Sequence, residues 1–185
     1  IVKAWFTDLG NEIASIGAIV GWDQHTYMPV KGGDHRAEQM GLLAKLGHEK
    51  LTAPRLGELL ASLEKAPLDE TQTVNVREIR RTYDRAVKMP AKLVEEIART
   101  VSAAQNVWAE ARKNSQFSAF APWLDKIVTL KREEAKAVGY KVSPYDALLD
   151  EFEPGATAAE ITRVFAELRA DLVPLVGAIV ASGRK

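Results

Sequence analysis

The chain has 185 residues, 46% of them apolar and 27% charged, with 25 Lys plus Arg set against 25 Asp plus Glu and no cysteine. That usage is typical of folded globular domains and far from the disordered or membrane classes, and a formal net charge of zero gives no field to draw in nucleic acid, an anionic membrane or an acidic substrate. Lack of cysteine excludes disulfides, thiolate nucleophiles and thiolate metal ligands, and fits a reducing cytoplasm.

Length favours one domain over residues 1–185, with room for a loosely attached hairpin. The chain opens at Ile1 without a methionine, and its first segment carries Trp5, Asp8, Asn11 and Glu12 among apolar residues, unlike a signal peptide. No apolar run approaches the roughly 18 residues of a membrane span. That opening, with the ending Ser182-Gly183-Arg184-Lys185, predicts a piece excised from a longer protein.

In chain order, Trp5, Phe6, Leu9, Ile13, Ile16 and Val20 recur at steps of three and four, the spacing of one helical face, and predict a first helix ending near Gly21. Tyr27 to Gly33 reads as a loop, because Pro29 disfavours helical geometry before it and the paired Gly32-Gly33 costs backbone entropy. A second helix is expected from Asp34 to Lys50 and a short third after Thr52, with Thr52 as its cap and Pro54 in its first turn. Asp69 and Gln72 have the spacing of a capping box and open a helix through Val76, Ile79, Tyr83 and Val87, which stops before Met89-Pro90.

Pro90 starts the next helix, whose stripe of Leu93, Ile97, Val101, Ala104, Trp108 and Ala111 is unbroken. Ser118 is expected to cap a helix that carries Pro122 in its opening turn and stops at Gly139. A loop to Pro144 leads to a short helical turn over Tyr145 to Phe152. Thr157 and Glu160 form a second capping box, opening a last helix with the stripe Ile161, Val164, Phe165, Leu168, Leu172, Leu175 and Ile179, which Pro174 should kink. No two-residue alternation argues for a strand, so the fold class is all-α, with about seven helices.

Few residues offer chemistry. His48-Glu49 begins like HExxH, but that motif requires a second histidine where Thr52 stands. His35 and Glu38 have i, i+3 spacing with no second pair beside them, and His25 stands alone. There is no serine elbow and no phosphate loop; Gly32-Gly33 and Gly41 read as turn and packing glycines. Asp146 with Asp150, or Glu133 with Glu134, could do acid-base work only with raised pKa values, and solvated helix faces are the commoner use of such pairs. Arg77, Arg80, Arg81 and Arg85 are interleaved with Glu78 and Asp84, which points to helix ion pairs. Trp5, Trp22, Trp108 and Trp123 fall on or beside apolar stripes and read as core, with peptide binding as the alternative.

Trp22-Asp23-Gln24-His25-Thr26-Tyr27-Met28-Pro29, then Gly32-Gly33 and Arg36-Ala37-Glu38-Gln39, resembles the N-terminal signature of the carboxypeptidase Taq family. Further blocks follow in the expected order: Val76-Arg77-Glu78 with Tyr83, Trp108 to Arg112, Phe120 to Leu124, and Pro144 to Asp150 leading into Glu153-Pro154-Gly155. The resemblance implies a groove-shaped, all-helical zinc-type peptidase that removes C-terminal residues from peptides, commonly as a homodimer. It also implies that two histidines of HExxH and a downstream glutamate hold zinc or another divalent metal, with the motif glutamate as general base. In the family these residues follow the point where this chain stops. No residue here carries over as catalytic, cofactor-binding or metal-binding, and no cofactor is expected within 1–185.

The expectation is therefore an inactive N-terminal portion, a helical wall and part of a lid, whose peptide substrate meets the metal on missing polypeptide. Its uncovered apolar surface should invite dimerisation. The other readings are a noncatalytic helical domain that receives a peptide or protein partner, and a peptidase of another helical zinc family with a similar cap.

Overall fold

The computed structural model describes residues 2–183, with side chains from residue 11 onward, so the side chains of Trp5, Phe6 and Leu9, half of the predicted first stripe, lie outside what is described. Eight α-helices and one short 3-10 turn account for the secondary structure among them: α1 Val2–Thr26, the turn Val30–Gly32, α2 Gly33–Leu51, α3 Pro54–Leu63, α4 Glu70–Ala86, α5 Ala91–Lys113, α6 Phe117–Val138, α7 Pro144–Leu149 and α8 Ala158–Ala181. The contacts cluster into two compact units, residues 1–138 and 139–185.

Several helix ends differ from expectation. Helix α1 continues past Gly21 to Thr26, since one interior glycine costs only about 1 kcal/mol. The last turn is tied down by the Thr26 hydroxyl donating to the Trp22 carbonyl, 2.7 Å. Thr52 does not cap α3; its hydroxyl turns back to the His48 carbonyl, 2.8 Å, and Ala53 is the residue before Pro54. Ser118 lies inside α6, which begins at Phe117 and runs through Pro122. The capping boxes at Asp69/Gln72 and Thr157/Glu160 form as the spacing predicts. A third box, Ser143 with Asp146, opens α7.

In the first unit α5 packs against both α2 and α6. Close approach to α2 depends on glycine: a Cβ on Gly41 would meet the Glu95 carbonyl oxygen at 3.3 Å and Arg99 Cβ at 3.4 Å. Being flanked twice, α5 buries small and polar residues, Thr100, Ser102, Ala104 and Ala111, and the expected stripe is only partly core: Val101 and Trp108 remain exposed. A compact apolar cluster forms where α3 meets α4, with Leu56, Leu60 and Val76 enclosed by Leu51, Leu63, Leu68, Ile79 and Tyr83.

Carboxylates and cations knit the α2, α5 and α6 surfaces. Arg99 pairs with Glu95 at 2.7 Å, Glu96 at 3.3 Å and Glu38 at 3.3 Å, and Lys126 reaches Glu96 at 2.7 Å. The Lys126 hydrogen bond, opposed by burial and aided by Arg99 and Thr100, holds the Glu96 carboxyl below its usual value. A folded-state pKa lowered in this way adds stability above the unfolded value, about 4.3, and loses it as pH falls through the folded value. Glu96→Gln is accordingly expected to lower the urea midpoint at pH 7 and to approach the parent progressively as pH falls below about 4.3, read from paired unfolding curves.

In the second unit, α7 and α8 meet through backbone caps. Asp146 accepts from the Ser143 and Ala158 amides at 3.2 and 2.8 Å, and Asp150 accepts from the Gly155 amide at 3.0 Å. Gly155 has φ +81, a conformation that suits glycine. Helix α8 has no buried residue, so its predicted core stripe is open: Phe165, Leu168, Leu172, Leu175 and Ile179 are each about half exposed.

Candidate functional site

Two blocks of the signature meet at the corner between α1 and α2. The guanidinium of Arg36, on the second turn of α2, donates to Asp23 Oδ2 at 2.5 Å and to the Val20 carbonyl, and Arg36 Nε donates to Gln39 Oε1 at 2.9 Å. Arg36 is 11% exposed against 41% for Asp23, so the ion pair is anchored from the buried side. It locks the last turn of α1 onto the start of α2, across the bend made by Tyr27 to Gly32.

A third group comes from α5. Gln24 Nε2 donates to Ser102 Oγ at 3.2 Å and to Gln105 Oε1 at 3.3 Å, and Gln105 Nε2 lies 3.1 Å from His25 Nδ1. An amide nitrogen only donates, so His25 Nδ1 accepts and the neutral ring carries its proton on Nε2. Gly33 opens α2 against α5 so closely that a Cβ there would stand 2.5 Å from Asn106 Nδ2. The result is a polar corner with one ion pair, a relay of amides and one exposed imidazole. The aromatic rings Trp22, 69% exposed, and Tyr27, 82% exposed, belong to the same segment. Sequence reasoning placed Trp22 in the core, and the structure corrects this for Trp22 and Trp108 alike. Ser102, Gln105 and Asn106 were not singled out, because they lie some eighty residues from their partners and leave no local pattern.

The remaining candidates disperse. His35 meets Gln39 at 3.4 Å, whereas Glu38 pairs with Arg99, so their i, i+3 spacing does not make a joint site. Asp146 and Asp150 act as backbone caps. Glu134 is not on a solvated face: it is buried and bonded to Arg85 at 3.0 Å and Lys131 at 2.7 Å. The arginines of α4 do form ion pairs, Arg77 and Arg81 with Glu78, and Arg80 with Asp84 and with Glu64 before α4. Among the described residues no helix is long and apolar enough to cross a membrane.

This arrangement of helices belongs to the carboxypeptidase class of structures. The chain superposes on the BsuCP crystal structure with TM-score 0.86 and 34% identity, over 92% of this chain and 35% of that one. Against the Pyrococcus furiosus carboxypeptidase structure the TM-score is 0.77 with 33% identity, over 98% of this chain and 36% of that one. The chain belongs to the carboxypeptidase Taq (M32) metallopeptidase family, whose profile matches residues 7–185. Thermostable carboxypeptidase 1 of Thermus thermophilus is 40% identical over 94% of this chain and 36% of its own length. The chain thus spans about a third of the length of the curated relatives it matches.

A metallopeptidase family implies a divalent ion. Among the described residues no three His, Asp or Glu side chains come together in a way that could hold one. The residues present do not fit a metal, and no metal-dependent step is assigned to them.

Proposed function

We propose that this chain is the N-terminal helical portion, residues 1–185, of a zinc-type metallocarboxypeptidase that removes C-terminal residues from peptides. The observation that carries this reading is the family match over residues 7–185 by a chain about a third as long as carboxypeptidases of the same family. The helices form one wall and part of the lid of a peptide groove, and the metal and its general base belong to polypeptide beyond this chain. The polar corner at Asp23, Arg36, Gln24 and Gln105 acts as a joint that fixes α1, α2 and α5 against one another, so that the wall presents one shape to the peptide.

The apolar face of α8 supports association, in the longer enzyme with further polypeptide and between copies as a homodimer. Absence of cysteine supports a cytoplasmic setting, and balanced charge supports a protein that does not bind nucleic acid. The test is hydrolysis of an N-acylated dipeptide. The expected result is turnover by the full-length enzyme that a chelator abolishes, and none by residues 1–185 alone. Chelator-sensitive cleavage by the isolated chain overturns the reading.

A further inference from the structure

The chain has four asparagines, and the structure sets one of them apart. Asn11, Asn75 and Asn106 lie inside α1, α4 and α5 and are followed by Glu12, Val76 and Val107. Asn114 is the residue on which α5 ends; it is exposed, and an exposed Ser115 follows it. The Asn114 side-chain amide makes no hydrogen bond among the described residues.

The turn after Asn114 stops the helix with an unusual residue. The Gln116 amide donates to the Ala111 carbonyl at 2.8 Å and the Ser115 amide to the Arg112 carbonyl at 3.2 Å, the paired bonds that close a helix through a left-handed residue. Glycine commonly takes that place. Here Ser115 takes it with φ 54, and it is the one non-glycine residue with positive φ among the described residues. Opening this turn relieves a strain that glycine would not carry and gives up a single long bond at the Ser115 amide. An asparagine inside a helix reaches the same freedom only when successive helical bonds break together.

A freed amide nitrogen one residue on is well placed to attack an asparagine side chain, because the attack closes a five-membered ring. The branched side chains of Val76 and Val107 crowd that nitrogen, whereas the unbranched Ser115 leaves it open. We propose that Asn114 is a site of spontaneous deamidation through a succinimide shared with Ser115. The Ser115 nitrogen gives its proton to solvent and attacks Asn114 Cγ, the bond from Cγ to Nδ2 breaks, and ammonia leaves. Water then adds to one of the two ring carbonyls. Breaking the bond from Cγ to the Ser115 nitrogen leaves aspartate; breaking the bond from the Asn114 main-chain carbonyl carbon leaves isoaspartate, with the main chain rerouted through Cγ. One water enters and one ammonia departs, with no oxidant and no cofactor. Either product loosens the corner between α5 and α6. Aspartate sets a negative charge at the negative end of α5, and isoaspartate lengthens the main chain by one carbon within the turn that the Ser115 and Gln116 amides close.

Peptide mapping by mass spectrometry tests the proposal on this chain, incubated at mildly alkaline pH and at a temperature where circular dichroism shows it folded. The free peptide Lys-Asn-Ser-Gln serves as the reference. Asn114 is expected to convert within about tenfold of the peptide's rate, because one hydrogen bond in a strained turn is all that protects it. Asn75 and Asn106 are expected to convert at least about a hundredfold more slowly than Asn114, held back by the rarity of helix opening. Isoaspartate should be the main product, and the rate should rise with pH, since the attacking nitrogen must first lose its proton. Asn114 converting no faster than Asn106, aspartate as the sole product, or a rate indifferent to pH overturns the site.

Discussion

Leu60→Ala is expected to destabilise the first unit by about 2–5 kcal/mol, seen as a lower urea midpoint with an unchanged slope. Leu56 and Leu60 are both fully buried, and with Val76 they form the enclosed apolar cluster between α3 and α4. Deleting most of the Leu60 side chain removes its transfer free energy and leaves a cavity among Leu51, Leu63, Leu68, Ile79 and Tyr83. Four of those neighbours sit on α2, α3 and α4 and Leu68 in the short connection before α4, so they have little freedom to close it. Gly57 limits relaxation further, since its Cα already faces the Tyr83 ring: a Cβ there would lie 2.6 Å from the hydroxyl oxygen. The matched control is Leu42→Ala on α2. Leu42 is 55% exposed, and the change should stay within about 0.5 kcal/mol. Equal losses at the two positions would mean that apolar burial is spread over the unit and not concentrated at α3 and α4.

The all-helical class was legible because it depends on local periodicity, and so were the two capping boxes, in which four consecutive residues hold both partners of the motif. The Ser143/Asp146 box has the same kind of spacing, but Pro144 drew attention to the end of a loop instead of the first position of a helix, where proline fits. Which apolar stripe becomes core was much less legible. Periodicity says that α5 and α8 each have an apolar face and says nothing about what covers it. Helix α5 turned small residues toward its two neighbours, and α8 kept its stripe open. The signature from Trp22 to Gln39 marked the right corner for a functional reading. Its α5 partners, Ser102 and Gln105, became visible only once the chain was folded, because a hydrogen bond between residues 24 and 102 depends on helix packing and not on spacing.

Glu134 illustrates how a pattern of charges can mislead, and it supports the second large prediction. Beside Glu133 it reads as half of a solvated acidic pair, yet Glu133 is exposed and Glu134 is 6% exposed. Its two oxygens are divided between helices: Oε1 accepts from Arg85 of α4 at 3.0 Å and Oε2 from Lys131 of α6 at 2.7 Å. A buried pair stabilises little relative to an apolar replacement, but removing one partner is costly, roughly 3–5 kcal/mol, since the remaining charge stays desolvated. Glu134→Ala should fall near the low end, about 3 kcal/mol. Lys131 is 42% exposed and can swing into water, whereas Arg85 is only 20% exposed and keeps most of the penalty. Glu134→Gln retains an acceptor for Arg85 and should lose about half as much, and Glu133→Ala should be close to neutral. Measured by urea unfolding at pH 7, the order Glu134→Ala, Glu134→Gln, Glu133→Ala identifies a carboxylate that clamps α4 to α6. If alanine at 133 and at 134 cost the same, the clamp does not exist.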